Sequence, residues 1–252
     1  MTSLHALIQT LDDWMKPELL KDYAPNGLQV EGRDTISRLA LGVTASADVI
    51  QQAVAWGADA LLVHHGYFWR NEPPVLTGMK GQRVRALMNH QMSLIAYHLP
   101  LDCHAEFGNN KALLDQLGLV GGQPISEENG LLWSVPLPNA MTIDQLASQV
   151  QSALGRAPMV IESSRGSETL SRLVVCTGSA QDYLTKALYY GADVYLSGEI
   201  SERTTHEARE LGVHYIAAGH HATERYGIQA LGQKLASTLD VDVAFFDDHN
   251  PA

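Results

Sequence analysis

The sequence predicts an α/β protein of two related three-layer α/β/α lobes with mixed sheets, and three observations carry that reading. Residues 38–65 run as an apolar strand, a helix and a second, fully buried strand "ADALLVHH", which is a βαβ unit. The same string returns from residue 171, where "SRLVVCTGSAQDYLTKALYYGADVYLSGE" can be laid on "SRLALGVTASADVIQQAVAWGADALLVHH". Ser-Arg-Leu recurs at 37–39 and 171–173, Thr44 matches Thr177, Ser46-Ala47 matches Ser179-Ala180, and Gly57-Ala58-Asp59 matches Gly191-Ala192-Asp193. Finally, "SLIAYHLPLD" and "HYIAAGHHATE" extend the match, each ending in metal-friendly residues. The spacing is far too long for a solenoid repeat, so it reads as an internal duplication.

In chain order, "SLHALIQTLDDWM" has apolar residues at helical spacing, with Thr2 or Ser3 as N-cap. "DYAPNGLQVEG" breaks that helix at Pro25, Asn26 and Gly27 and leads into a short extended piece. "RLALGVTAS" is a strand, and "ADVIQQAVAWG" a helix stopped by Gly57. After "GGQPISEENG" come the strand "LLWSVPLP", the helix "TIDQLASQVQSALG" with Thr142 and Gln145 as a capping box, the strand "PMVIES" and the turn "SSRGSE". "GHHATERYGIQALGQKLAST" is an amphipathic helix and "VDVAFFD" a closing strand. The expected organisation is a first lobe over 1–122, a linker at 123–130 and a second lobe over 131–252, with the C-terminal helix and strand available to pack back on the first lobe.

Composition narrows the function. With 45% hydrophobic and 18% charged residues, the chain reads as an ordinary soluble globular protein. No apolar run approaches the roughly 20 residues of a membrane span, and the N-terminus lacks the basic-then-apolar order of a signal peptide, so a cytoplasmic protein with no membrane partner is expected. Cys103 and Cys176 are too few for a disulfide framework and are expected as reduced thiols. A net charge of -11 disfavours a nucleic-acid partner. Eleven histidines against 17 Lys+Arg instead raise the question of metal.

Ligands in open α/β sheets bind beyond the carboxyl ends of strands. There the chain places His64 and His65, then Asp102 in "YHLPLD", then His220, His221 and Glu224 in "GHHATE". Neighbours on a strand point to opposite faces, so His64 and His65 suit two adjacent ions or a strand end that has already turned. His220 and Glu224, four apart, share one face of a helix, and His221 points elsewhere. A carboxylate can bridge two cations, which suits Glu224. Mixed imidazole and carboxylate donors favour zinc, iron or manganese. His98 could be a ligand but is read rather as a proton-transfer or supporting group, and Glu199, at the strand end matching His65, as a supporting or merely paired one. His104 and His206 are expected as surface or helix histidines, and His5, His90, His214 and His249 as non-functional. Tyr67, Phe68 and Trp69 are expected to pack, and "GNN" at 108–110 to be a turn or helix cap. No P-loop, dinucleotide loop or nucleophile elbow is present.

At these residues the sequence resembles the NIF-three-like family, also named GTP cyclohydrolase 1 type 2 homologues, and in particular its short bacterial YbgI-type members. The markers are "DYAPNGLQVEG", "GVTAS", "GADALLVHHGYFW", "YHLPLD", "GNN", "SGEISE" and "GHHATER". The resemblance implies a homohexameric toroid built as three dimers, with two divalent ions per subunit held by His64, His65, Asp102, His220 and Glu224. It also implies a metal-dependent hydrolase acting on a nucleotide or related small heterocyclic or phosphorylated compound. The alternative is a non-catalytic metal-binding ring serving as a scaffold or as a partner- or nucleic-acid-binding module. Gly66 stands where many relatives have proline, which affects loop rigidity rather than ligation. The long domain that some members insert between the lobes is missing.

Overall fold

A computed structural model describes residues 1–252, and the side chains of all but 138–140. Its compact units are Met1–Leu101 with Ile228–His249, and Asp102–Gly227 with Asn250–Ala252. In the first unit a five-stranded sheet runs in the order Asp242–Phe245, Arg38–Thr44, Ala60–His65, Ser93–Ala96 and Gly27–Val30. The first four strands are parallel, and Gly27–Val30 closes the edge antiparallel to Ser93–Ala96. Alternation splits the strands between two faces. Ala40, Leu61, Val63 and Leu94 pack with Val49, Ile50 and Ala53 of helix Ala47–Trp56 and Val84 and Leu87 of helix Gly78–Asn89. On the opposite face Leu41 meets the helix His220–Thr238 at Gly232, where a Cβ would lie 2.1 Å from the leucine Cδ1.

The second unit repeats this plan in a six-stranded sheet. Leu170–Val175, Val194–Ser197 and His214–Ala217 are parallel, and Met159–Ile161 closes one edge antiparallel to the last of them. Leu173, Val175, Leu196 and Ile216 face Leu146, Val150 and Leu154 of helix Ile143–Leu154. Val174, Tyr195 and Tyr215 face the other way, onto Leu184, Ala187 and Ala208. Each unit is therefore a mixed sheet between helical layers, and no inserted domain interrupts either.

The duplication is visible in register as well as order. Leu39 pairs with Ala60 as Leu173 pairs with Val194. Asp59 Oδ2 accepts from the backbone N–H groups of Ser37 and Arg38 at 2.8 and 3.0 Å, and Asp193 Oδ2 accepts from those of Ser171 and Arg172 at the same distances. One carboxylate thus locks the entry of each parallel pair, which explains the recurrence of Ser-Arg-Leu and Gly-Ala-Asp.

The expected division at 123–130 needs correcting. Gln123–Pro124 pairs antiparallel with Trp133–Met141 inside the second sheet, and Leu113 and Leu114 of helix Asn109–Gln116 lie in that unit's core, so residues 102–130 belong to the second unit. Glycine and proline marked a hairpin connection there, whose composition matches that of a linker. At the other end Asp242–Phe245 pairs parallel with Arg38–Thr44 of the first unit. Neither cysteine is in a disulfide among the described residues, and burial together with the Asp102 charge pushes the Cys176 thiol up. Among the described residues no helix is long and apolar enough to cross a membrane.

Candidate metal centre

In the first unit, the strand Ala60–His65 ends with His64 fully buried and His65 half-buried. Their rings lie 4.4 Å apart at 43°, and ligand nitrogens of His64, His65 and His98 lie within 4.8 Å of one another. The two neighbours therefore converge despite the alternation of a regular strand. Each ring is held through Nδ1. His64 Nδ1 lies 3.0 Å from the Tyr97 carbonyl, His65 Nδ1 3.1 Å from the Thr44 hydroxyl, and His98 Nδ1 2.9 Å from Asp22 Oδ1. A carbonyl or carboxylate can only accept, so Nδ1 of His64 and of His98 carries the proton, and in the neutral ring Nε2 carries the lone pair.

The loop after this strand is braced by side chains rather than by a proline ring. Gln29 Oε1 accepts from Tyr67 N at 2.8 Å and its Nε2 donates to the Pro25 carbonyl at 2.8 Å. A Cβ on Gly66 would lie 2.1 Å from that same Oε1, so Gly66 and Gln29 fit together. Tyr67 is buried in the core, as expected, whereas the Trp69 ring stands edge-on to His98 at 5.0 Å and walls the histidines on one side.

Asp22 escapes a sequence reading because "KDYAPNG" looks like a turn. Its side chain, 3% exposed, accepts from Tyr23 N, Ala24 N, Asn26 Nδ2, His98 Nδ1 and Leu99 N. Burial opposes the charge, but the His98 bond and the other donors prevail and hold this carboxyl well below the usual range.

In the second unit, His220 and Glu224 occupy the first turn of the helix His220–Thr238, and His220 Nε2 lies 3.2 Å from Glu224 Oε2. Glu199, just past the strand Val194–Ser197, accepts at Oε1 from His220 Nδ1 at 2.6 Å and at Oε2 from the Ser179 hydroxyl at 3.0 Å. Burial disfavours the imidazolium, yet Glu224 and then Glu199 push the His220 pKa up to about 9. Asp102 is buried and its Oδ1 accepts from Asn109 Nδ2 at 2.7 Å. Asn110 donates to the Asp102 and Leu131 carbonyls and accepts from Thr177 N. "GNN" does begin a helix at Gly108, and its two asparagines are also fully buried supports of Asp102 and its surroundings, which composition alone does not reveal. His214 is structural, its Nδ1 accepting from Ser163 N at 3.4 Å and its Nε2 lying 3.0 Å from the Ser167 carbonyl. His104 stacks on Phe107, and His206 is exposed.

Gly178, with φ 71°, gives Glu224 its space: a Cβ there would lie 2.1 Å from Glu224 Oε1. If the Glu224 carboxylate holds a divalent cation, Gly178→Ala is expected to weaken the affinity for titrated zinc by about tenfold or more with an unchanged circular dichroism spectrum. Unchanged zinc affinity in a calorimetric titration would show that Glu224 moves aside at no cost.

Two α/β units of one duplicated plan, each turning imidazoles or carboxylates out at its strand ends, define a class of protein with groups that could hold metal. The chain belongs to the Duf34/NIF3 (NGG1p interacting factor 3) family, whose model matches residues 2–251. It is 50% identical over 252 residues to a "GTP cyclohydrolase 1 type 2 homolog" of Allochromatium vinosum, covering 100% of this chain and 98% of the relative. A protein of that name from Vibrio cholerae is 47% identical over 242 residues, 96% of each chain. Among solved structures, protein ybgI, described as of unknown function, superposes with a TM-score of 0.95 at 43% identity over 100% of both chains.

Proposed function

We propose that this protein is a dinuclear divalent-metal-dependent hydrolase acting on a nucleotide or a related small heterocyclic or phosphorylated compound. Its ligands would be His64, His65, Asp102, His220 and Glu224, and its ions zinc, iron or manganese. The observation that carries this reading is the way the histidines are held. His64, His98 and His220 each present Nδ1 to a carbonyl or carboxylate, and His65 presents Nδ1 to a hydroxyl. Imidazoles that bind metal through Nε2 are oriented in this manner, because the partner on Nδ1 fixes the tautomer and raises the basicity of the donor. The carboxylates around His220 favour a cation there, which the raised pKa of the ring already registers.

When bound, two divalent ions supply Lewis acidity and a strongly acidified water. The remaining work falls to side chains. His98, with its Nδ1 proton on Asp22, offers Nε2 for taking a proton from water or returning one to a leaving group. Glu199 orients His220, and Asn109 orients Asp102, so neither donor needs to reorganise during turnover. Trp69 limits the water reaching His98 on one side.

A homohexamer is what the family resemblance implies, and exposed Val75, Leu76 and Met79 are apolar surface available for self-association. Metal-supplemented protein is expected to show two ions per chain by anomalous scattering at metal edges, and a metal-dependent product when screened over nucleotides, with GTP first. Two ions without any product would favour the non-catalytic ring, and no ions would remove both readings.

A further inference from the structure

At the carboxyl end of the strand His214–Ala217, the second unit opens a cleft of about 530 Å³ lined by Arg156, Met159, Gly198, Glu199, Ile200 and Gly219 among others. Arg156 is the only cation in that lining among the described residues. Its Nη1 is buried and has no hydrogen-bond partner among them. A guanidinium N–H that has left water without finding an acceptor is costly, and a place for a bound acceptor is one reason to retain it.

The local chain explains the placement. Gly155 closes the helix Ile143–Leu154 in the left-handed conformation and turns the chain, so Arg156 comes just before the edge strand Met159–Ile161. Gly219, with φ 103°, leaves the guanidinium lying on bare backbone, since a Cβ there would be 2.2 Å from Nη1. That contact is one residue before His220. Glu199, in the same lining, accepts from His220 and Ser179 and makes no ion pair with the arginine among the described residues.

We propose that Arg156 and this cleft form an oxyanion subsite that holds the phosphate or carboxylate group of the small molecule being processed. The planar guanidinium fork matches either anion with two parallel N–H···O bonds. An anion held there lies beside the histidine that begins the next helix, at the strand ends where α/β proteins bind ligands. The proposal deepens the hydrolase reading and rests on it for the bound molecule being a substrate, whereas anion binding itself requires no metal.

Calorimetric titration of inorganic phosphate, and separately of acetate, into the metal-free and zinc-loaded full chain tests it. At least one anion is expected to bind saturably, and the stronger of the two identifies the group. Arg156→Gln should weaken that binding by about tenfold or more. Arg156→Lys, which keeps the charge without the fork, should weaken it less, and both variants should keep the wild-type circular dichroism spectrum and metal content. Equal affinity in wild type and both variants, or no saturable binding of either anion by the wild type, overturns the subsite. A wild type that binds anion but retains none of zinc, iron or manganese would leave the subsite standing and remove the hydrolase reading.

Discussion

Glu224→Gln is expected to lower metal affinity by at least about a hundredfold, because the loss of a group that merely supports a ligand already reaches that range. Turnover should fall to about a thousandth or less of its original value. The substitution preserves shape and removes only charge and one acceptor oxygen. A glutamine amide offers a single neutral oxygen where the carboxylate would offer a cation two that share a negative charge. The site is also unforgiving, since the Glu224 side chain is 4% exposed and cannot draw on water instead. The metal-free protein provides a second readout. His220 stands at about 9 because Glu224 and Glu199 outweigh the cost of burying its charge, so removing the larger contributor should bring the ring back toward 6.5 in an NMR titration. If the variant binds metal as the wild type does, Glu224 is not a ligand.

Asp22→Asn is the second large effect, and it falls on stability as well as on His98. Five donors converge on this nearly buried carboxylate. The amide retains one oxygen, and its NH2 must face donors that it cannot satisfy. A loss of about 3 kcal/mol is expected, lowering the melting temperature by roughly 6–12 °C for a chain of this size. The sign of the pH dependence follows from the direction of the shift. The folded carboxyl is held below its usual value of 3.8, so its contribution is fully present above that pH and is lost as pH falls toward the folded value. The stability gap between wild type and Asp22→Asn should therefore be constant near neutrality and shrink below about pH 4. A gap that instead widens in acid would mean that the carboxylate is not the stabilising form. His98 should lose its fixed orientation in the same variant, lowering kcat more than it alters metal content.

Most of the elements were legible because secondary structure leaves a local trace. The apolar run before His64, the Gly57 stop and the Thr142 box each act within a few residues, and each element stands where periodicity placed it. The duplication was legible for a similar reason, since Ser-Arg-Leu and Gly-Ala-Asp recur because one aspartate binds the same two amides in each copy. The division into units was not, because glycine and proline mark a hairpin and a linker alike.

The sequence by itself determined which donor types stand at the strand ends and that two copies of one α/β plan present them. Only the tertiary structure decided what holds those donors. His98 finds Asp22 across 76 positions, Asp102 is held by an asparagine from a motif that reads as a simple cap, and Arg156 lies on Gly219 of a different element. Periodicity reports which face of an element is apolar. The order of strands in a sheet sets which distant side chains then meet, and no local pattern encodes that order.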